Sequence, residues 1–342
     1  MDERIAAAWS RLPDYLGQHV LLSAAALLLG IAISLPLSIA ASRRKYLRWP
    51  LMTGVSIIQT IPSLALLALF YPFLLGVAAL AARFLDVNFS ALGFLPALLA
   101  LTLYSMLPIV RNTLVGLSSV DAAVVEAARG VGMTEGQSLI QVELPLAAPI
   151  ILAGIRTSAV WVIGTATLST PIGQTSLGNY IFTGLQTENW VFVLFGCAAS
   201  ALLALIADQL LGLIETGLAR RDRRRIIAGV LGFLLGATIA VVPALGRAAP
   251  NYVIGAKTFT EQFILARLIS DEIAQHGFTA VQRDGLGSTV ILRALSEDDI
   301  DVYVEYSGTI WSNAMGRTDN PGRAAVTAGV TDWLDRTYGI VV

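Results

Sequence analysis

Long apolar runs alternate with short polar connections through the first 245 residues of this 342-residue chain. A helix that crosses the hydrocarbon core of a bilayer needs about 20 apolar residues. Runs at residues 20–41, 51–70, 92–110, 146–168, 190–213 and 226–245 have about that length, which predicts six spans. Pro62 lies inside the second run and is expected to kink it and free a backbone carbonyl. Residues 71–90 fit less well. Pro72 interrupts them, and the apolar stretch at 73–82 is too short to cross. They are expected to form a kinked extension or an interfacial helix on the outer face. Residues 1–17 are mixed and partly charged, and the run after them is too long for a signal-peptide core. They read as an external segment before a retained first span.

Charge gives the spans a direction. Arg43, Arg44, Lys45 and Arg48 follow the first run, Arg111 closes the third, and Arg220, Arg221, Arg223, Arg224 and Arg225 follow the fifth. Lysine and arginine accumulate in cytoplasmic loops. Both clusters therefore face the cytosol, and the N-terminus lies outside. The outer connections carry little positive charge, chiefly Arg83. Trp190 is placed for the interfacial aromatic belt.

The connection after the third span, residues 120–145, is unlike the others. It holds Glu126-Ala127-Ala128, then Gly132, then Leu144-Pro145. This spacing predicts a short amphipathic helix, a glycine turn, and a second short helix stopped by proline. Its polar side chains need water or a protein partner, so it projects from the cytoplasmic membrane face.

Beyond residue 250 the pattern changes. Residues 252–256 read as a buried strand, and 260–276 as a helix with Phe263, Ile264, Ala266, Leu268, Ile269 and Ile273 on its apolar side. Val281 begins a second extended piece, a helix runs through Leu295, and 300–303 are extended again. Strand alternating with helix predicts a parallel α/β unit, placed outside by the span count. The chain finishes on residues 338–342, an apolar strand-like stretch.

Composition agrees with two parts of different character. The chain is 55% hydrophobic and 14% charged, with mean hydropathy +0.70. Soluble domains carry about 25% charged residues. A net charge of −1 gives no reason to invoke nucleic acid. The single cysteine, Cys197, rules out an internal disulfide framework and a cysteine-based metal site within one chain. His19 and His276 are far apart and read as surface residues, so neither a metal site nor a catalytic site is expected. The chain has no GxxxxGK[ST] phosphate loop. Arg156, Asp208 and Glu215 fall in or near spans, where charge is expensive. Pairing with nearby arginines and a proton or ion relay are the two readings for the carboxylates.

The 126–145 interval resembles the EAA loop of ABC-importer permeases, the coupling helix that docks on the ATPase. Residues 57–65 (IIQTIPSLA), 104–121 (YSMLPIVRNTLVGLSSVD), 154–157 (GIRT) and 163–168 (IGTATL) resemble the glycine betaine/choline/carnitine-type permeases of that superfamily. The resemblance covers about residues 15–215. It implies an all-α, MetI-like polytopic domain at 18–218, then a basic linker and sixth span at 219–248. It also implies a homodimer around one pathway and a separate ATPase dimer that carries ATP and magnesium, with no cofactor in this chain. Glu126, Ala127, Ala128, Gly132, Leu144 and Pro145 are its coupling residues. Thr170-Pro171 and Gln174-Thr175-Ser176 depart from the family's glycine-rich outer loop.

Three later motifs, KTFTEQ at 257–262, GLGST at 285–289 and DVYVEYSGT at 301–309, resemble the periplasmic binding proteins of the same uptake systems. Each falls at a strand end, where α/β ligand sites form. Taken alone, the two glycines also fit a tight turn or a phosphate loop. Carried over by motif, the solute site comprises Thr258, Gln262, Ser288, Thr289, Tyr306 and Thr309. Tyr306 offers a π face to a quaternary ammonium. Tyr303 and Trp311 are further aromatics, equally suited to a core. Because the family's binding domain has two lobes, residues 250–342 are expected to be a partial domain, its first lobe. The expected function is import of glycine betaine, choline or carnitine across the bacterial inner membrane. Ergothioneine or an amino acid are alternative solutes, and a solute-sensing receptor is an alternative class.

Overall fold

The computed structural model describes residues 3–85, 92–245 and 251–342. Helix α1 (Glu3–Arg43) is 41 residues long. At 1.5 Å per residue this is about 60 Å, twice the hydrocarbon thickness. Residues 3–17, expected as an external segment, are its outer turns. They pack through Ala8, Leu12 and Tyr15 against Leu177, Tyr180 and Phe192, and the Tyr180 hydroxyl donates to the Ala8 carbonyl at 2.5 Å.

The expected second span is not one helix. Helices α2 (Lys45–Thr60) and α3 (Ser63–Leu85) meet at 102°. The cause is local. The residue before a proline is pushed out of the helical region, and Ile61 sits at φ −71°, ψ 128°. Tyr104 donates its hydroxyl to the freed Ile61 carbonyl. Pro62 therefore breaks the segment rather than kinking it. Residues 71–85, left open by the sequence, continue α3 past Pro72. The rest of that stretch, 86–91, and the side chain of Arg83 lie outside the described residues.

Helix α4 (Phe94–Ser118) is the most enclosed, and α7 (Leu144–Ala166) packs closely on it. The approach needs Gly154: a methyl group there would lie 2.7 Å from the Pro108 carbonyl and 2.6 Å from the Asn112 side chain. Between them lie α5 (Ala122–Gly130), the one-turn α6 (Glu135–Ser138) and a wide π turn, Leu139–Glu143. A 3₁₀ turn (Thr167–Ile172) and α8 (Gly178–Gln186) follow α7, then α9 (Trp190–Ala219) and α10 (Arg223–Leu245). Among the described residues, five helices or continuous helical segments are long and apolar enough to cross, and the bent α2–α3 pair is a possible sixth.

His19 is not a surface residue. It is fully buried, with Nε2 3.0 Å from the Ile163 carbonyl and Nδ1 3.3 Å from the Leu177 amide. A neutral ring that donates from Nε2 and accepts at Nδ1 satisfies both contacts, which tie α1 to α7 and the start of α8. His276 is exposed, as expected.

The outer unit is a parallel three-stranded sheet of order β2-β1-β3, from β1 (Tyr252–Lys257), β2 (Ala280–Leu286) and β3 (Val302–Tyr303). Helices α11 (Thr260–Gln275) and α12 (Ser288–Ser296) make the crossovers. After the short α13 (Ser307–Thr309) and a π turn comes α14 (Arg323–Tyr338), which the sequence pattern did not predict. Its Val326, Val330 and Leu334 pack on Trp311, so Trp311 belongs to the core. Residues 340–342 form no strand, and Ile340 packs beside the Trp311 cluster.

Candidate functional site

The 120–145 connection is a built protrusion. Asp121 caps α5 by accepting from the Ala123 amide at 2.9 Å. The far end closes in a Schellman arrangement: the Met133 amide bonds to Ala128 O at 3.1 Å and the Gly132 amide to Arg129 O at 2.9 Å. Gly132 takes φ +85°, the left-handed region that glycine enters without penalty. Thr134 and Gln137 then cap α6 reciprocally.

The protrusion is not stopped by proline, contrary to expectation. The helix runs on through the π turn into α7, so that 135–172 form one helical segment. Pro145 lacks the amide that a regular turn would use, and it stands at the start of α7, where the wide turn ends. The second half of the protrusion is therefore the first part of a membrane helix.

A second anchor was not legible. Glu143 is buried, with 8% of its side chain exposed, and it accepts from Arg43 at 2.6 Å and from the Ser138 hydroxyl at 3.1 Å. Arg43, read from sequence only as a mark of the cytoplasmic side, ties the protrusion to the end of α1. Glu126 and Ala127 are exposed, Ala128 is buried and Leu144 is half-buried. Val131 and Ile140 are 76% and 67% exposed.

In the outer unit, Thr258 follows β1, Gln262 lies in the first turn of α11, Ser288 opens α12, and Tyr306 and Thr309 follow β3. All lie toward the carboxyl edge of the sheet. The side chain of Thr289 is outside the described set. Lys257 is buried and paired with Glu305. The Tyr306 hydroxyl donates to Glu261 at 2.7 Å, which holds that exposed carboxylate below its ordinary range. Gln262 lies beside the same hydroxyl, with neither of its buried amide atoms in a bond of good geometry. Tyr303 donates to Glu305 at 2.9 Å, and burial raises its phenol pKa. Gln262 and Tyr306 thus share one corner.

Thr258 faces elsewhere, into a cavity of about 150 Å³ shared with Thr170, Thr183 and Gln186 of the membrane unit. Thr260 reaches across to donate to the Gln186 carbonyl at 2.7 Å. A larger cavity, about 340 Å³, lies beside Glu305, Ser307, Arg323 and residues 340–342. Asp208 and Glu215 of α9 both meet Arg156 of α7 rather than the Arg220–Arg225 cluster. No group of three metal-ligating side chains occurs among the described residues.

A bundle of membrane-crossing helices with a rigid cytoplasmic protrusion, followed by an outer α/β unit, defines a binding-protein-linked permease. A family model described as the binding-protein-dependent transport system inner membrane component matches residues 24–220. One described as the substrate binding domain of the ABC-type glycine betaine transport system matches residues 250–339. The choline transport system permease protein OpuBB of Bacillus subtilis is 40% identical over 209 residues, 61% of this chain and 89% of that protein. The glycine betaine/carnitine/choline permease OpuCB of the same organism is 42% identical over 199 residues, 58% of this chain and 84% of that protein. The ergothioneine transport permease/ergothioneine binding protein EgtU of Helicobacter pylori is 33% identical over 280 residues, 78% of this chain, and the alignment spans about half (48%) of that protein. Among solved structures, the inward-facing MetNI methionine ABC transporter matches with TM-score 0.52 at 18% identity, covering 64% of this chain and 99% of that one, and supports the fold.

The chain belongs to the binding-protein-dependent transport system inner membrane component family. It is a multi-pass permease subunit of the bacterial inner membrane, with its substrate-binding domain on the extracytoplasmic side. It is a transporter subunit rather than an enzyme, and ATP hydrolysis belongs to a separate ATPase subunit.

Proposed function

We propose that this subunit imports a quaternary-ammonium compatible solute (glycine betaine, choline or carnitine) and works as a homodimer on an ATPase dimer that binds ATP and magnesium. The observation that carries this reading is the continuous helical segment from the Thr134–Gln137 cap through α7. It supports a mechanism in which ATPase closure moves Glu126, Ala127, Ala128 and Gly132, and the π turn at Leu139–Glu143, followed by Leu144-Pro145, passes the motion into the membrane.

The solute reading rests on the outer edge. Tyr306 presents an exposed ring, and a quaternary ammonium, which donates no hydrogen bond, is attracted to such a face. Gln262 offers two unpaired amide atoms, and Ser288 and Thr309 supply hydroxyls; Thr258 would act from the neighbouring cavity. Ergothioneine is the second reading, favoured by the alignment with EgtU, which runs through both domains. An amino acid is a further small zwitterion of the same size class.

Calorimetric titration of the purified full chain with glycine betaine, choline, carnitine and ergothioneine tests this. Saturable binding of one of the first three is expected. Binding of ergothioneine alone selects the second reading, and heat from none of the four removes the quaternary-ammonium assignment.

A further inference from the structure

Arg156 of α7 meets both carboxylates of α9. Its Nε and Nη2 donate to Asp208 at 2.5 and 2.7 Å, and its Nη1 donates to Glu215 at 3.3 Å. The contact is shaped by the backbone beneath it. Asp208, Gly212 and Glu215 recur every three to four residues and so share one helix face. A methyl group on Gly212 would lie 3.2 Å from the guanidinium carbon. The guanidinium therefore lies close over Gly212, between the two acids.

Two features make this more than a structural pair. Arg156 is twelve residues past the start of α7, about 18 Å along its axis. Ionised groups at that depth turn toward protein or water rather than lipid. Yet Arg156, Asp208 and Glu215 keep 34%, 23% and 25% of their side chains exposed. They line an open cavity of about 390 Å³, together with Thr157 and Trp161, within the roughly 300–1,000 Å³ of small-molecule sites. Trp161 is 56% exposed. One arginine against two carboxylates leaves a negative charge in surplus, and Glu215 is held by a single long bond.

We propose that this cavity is an intramembrane station for the cationic head of the transported solute, between α7 and α9. A quaternary ammonium is held there by the indole face of Trp161 and the surplus charge of Glu215, while Arg156 and Asp208 hold each other in place. The inference rests on the solute reading above.

The test uses the full chain with its ATPase in proteoliposomes. In a Cys197→Ser background, maleimide labelling of Thr157→Cys is expected to slow at least fivefold in saturating choline. The protection is expected to vanish when Glu215→Gln is added. Choline uptake is expected to fall at least tenfold in Glu215→Gln and in Trp161→Ala, and to fall less in Trp161→Phe, which keeps a smaller π face. Glu215→Gln leaves the Arg156–Asp208 pair intact, so an unchanged thermal midpoint separates loss of the station from loss of the fold. If the wild type carries no quaternary ammonium, the solute reading itself falls and removes the proposed ligand. If the wild type carries choline, Thr157→Cys is unprotected, and both Glu215→Gln and Trp161→Ala carry choline normally, the station alone is refuted.

Discussion

The cytoplasmic protrusion and the outer solute edge are built in opposite ways. The protrusion is shaped mostly by its own residues, with Arg43 as a distant tie. Its two caps, its left-handed glycine and its π turn all fall between Asp121 and Pro145, and each shapes the residues next to it. The outer edge is assembled from a distance. Lys257 pairs with Glu305 and Tyr306 with Glu261, 48 and 45 residues apart. A lever needs stiffness along one stretch of chain, whereas a solute site needs groups that converge from several strands. The two regions are therefore expected to fail differently when altered.

The largest effect is expected at Gly132. Replacing it with aspartate forces a side chain into the left-handed region, at about 1–2 kcal/mol, and distorts the turn between α5 and α6. Solute uptake with the ATPase is expected to fall at least tenfold while calorimetric solute binding stays within twofold. A parallel loss of both would erase the distinction between lever and site.

Removing the carboxylate in Glu143→Ala strips Arg43 and Ser138 of their shared acceptor. Losing one side of a buried pair costs about 3–5 kcal/mol, and the one-third exposure of Arg43 reduces this to about 2 kcal/mol. The thermal midpoint should drop, and protease cleavage should rise at 120–145 and not beyond residue 250.

The boundary between the two units offers a pH test. Asp284 is buried, one oxygen has no partner, and burial pushes its carboxyl up to about 6, with Arg11 opposing. A group that holds its proton more tightly when folded stabilises the folded state fully below its unfolded value, about 4, and loses that stabilisation as pH rises through about 6. Asp284→Asn is expected to flatten the pH dependence between 4 and 6 and to raise stability at pH 7.5. Thermal unfolding across that range reads both. The smallest effect belongs to Thr134→Ala, which removes one cap bond at about 1 kcal/mol and should speed amide exchange in α6 alone.

What could be read from sequence follows the same division. Apolar run length located the membrane helices, and the arginine clusters oriented them, because both signals are local. Gly132 was legible because only a turn explains a glycine between two short amphipathic pieces. The break at Pro62 was underestimated, since a proline signals a disturbance and the geometry around Ile61 sets its size. Glu143 and His19 escaped because their partners, Arg43 and the backbone of Ile163 and Leu177, lie 100 or more residues away. Arg156 stood out as a charge in a span, but its geometry depends on Gly212, whose role shows only when α7 and α9 are side by side. The α14 helix was missed because its apolar positions, Val326, Val330 and Leu334, are sparse and gain meaning only against Trp311.

The central claim is that the protrusion meets the ATPase. Val131→Cys in a Cys197→Ser background, treated with a short bis-maleimide in membranes that contain the ATPase, tests it directly. A cross-linked permease–ATPase species is expected from Val131→Cys and none from Tyr306→Cys. A cross-link from Tyr306→Cys, with none from Val131→Cys, would contradict the account.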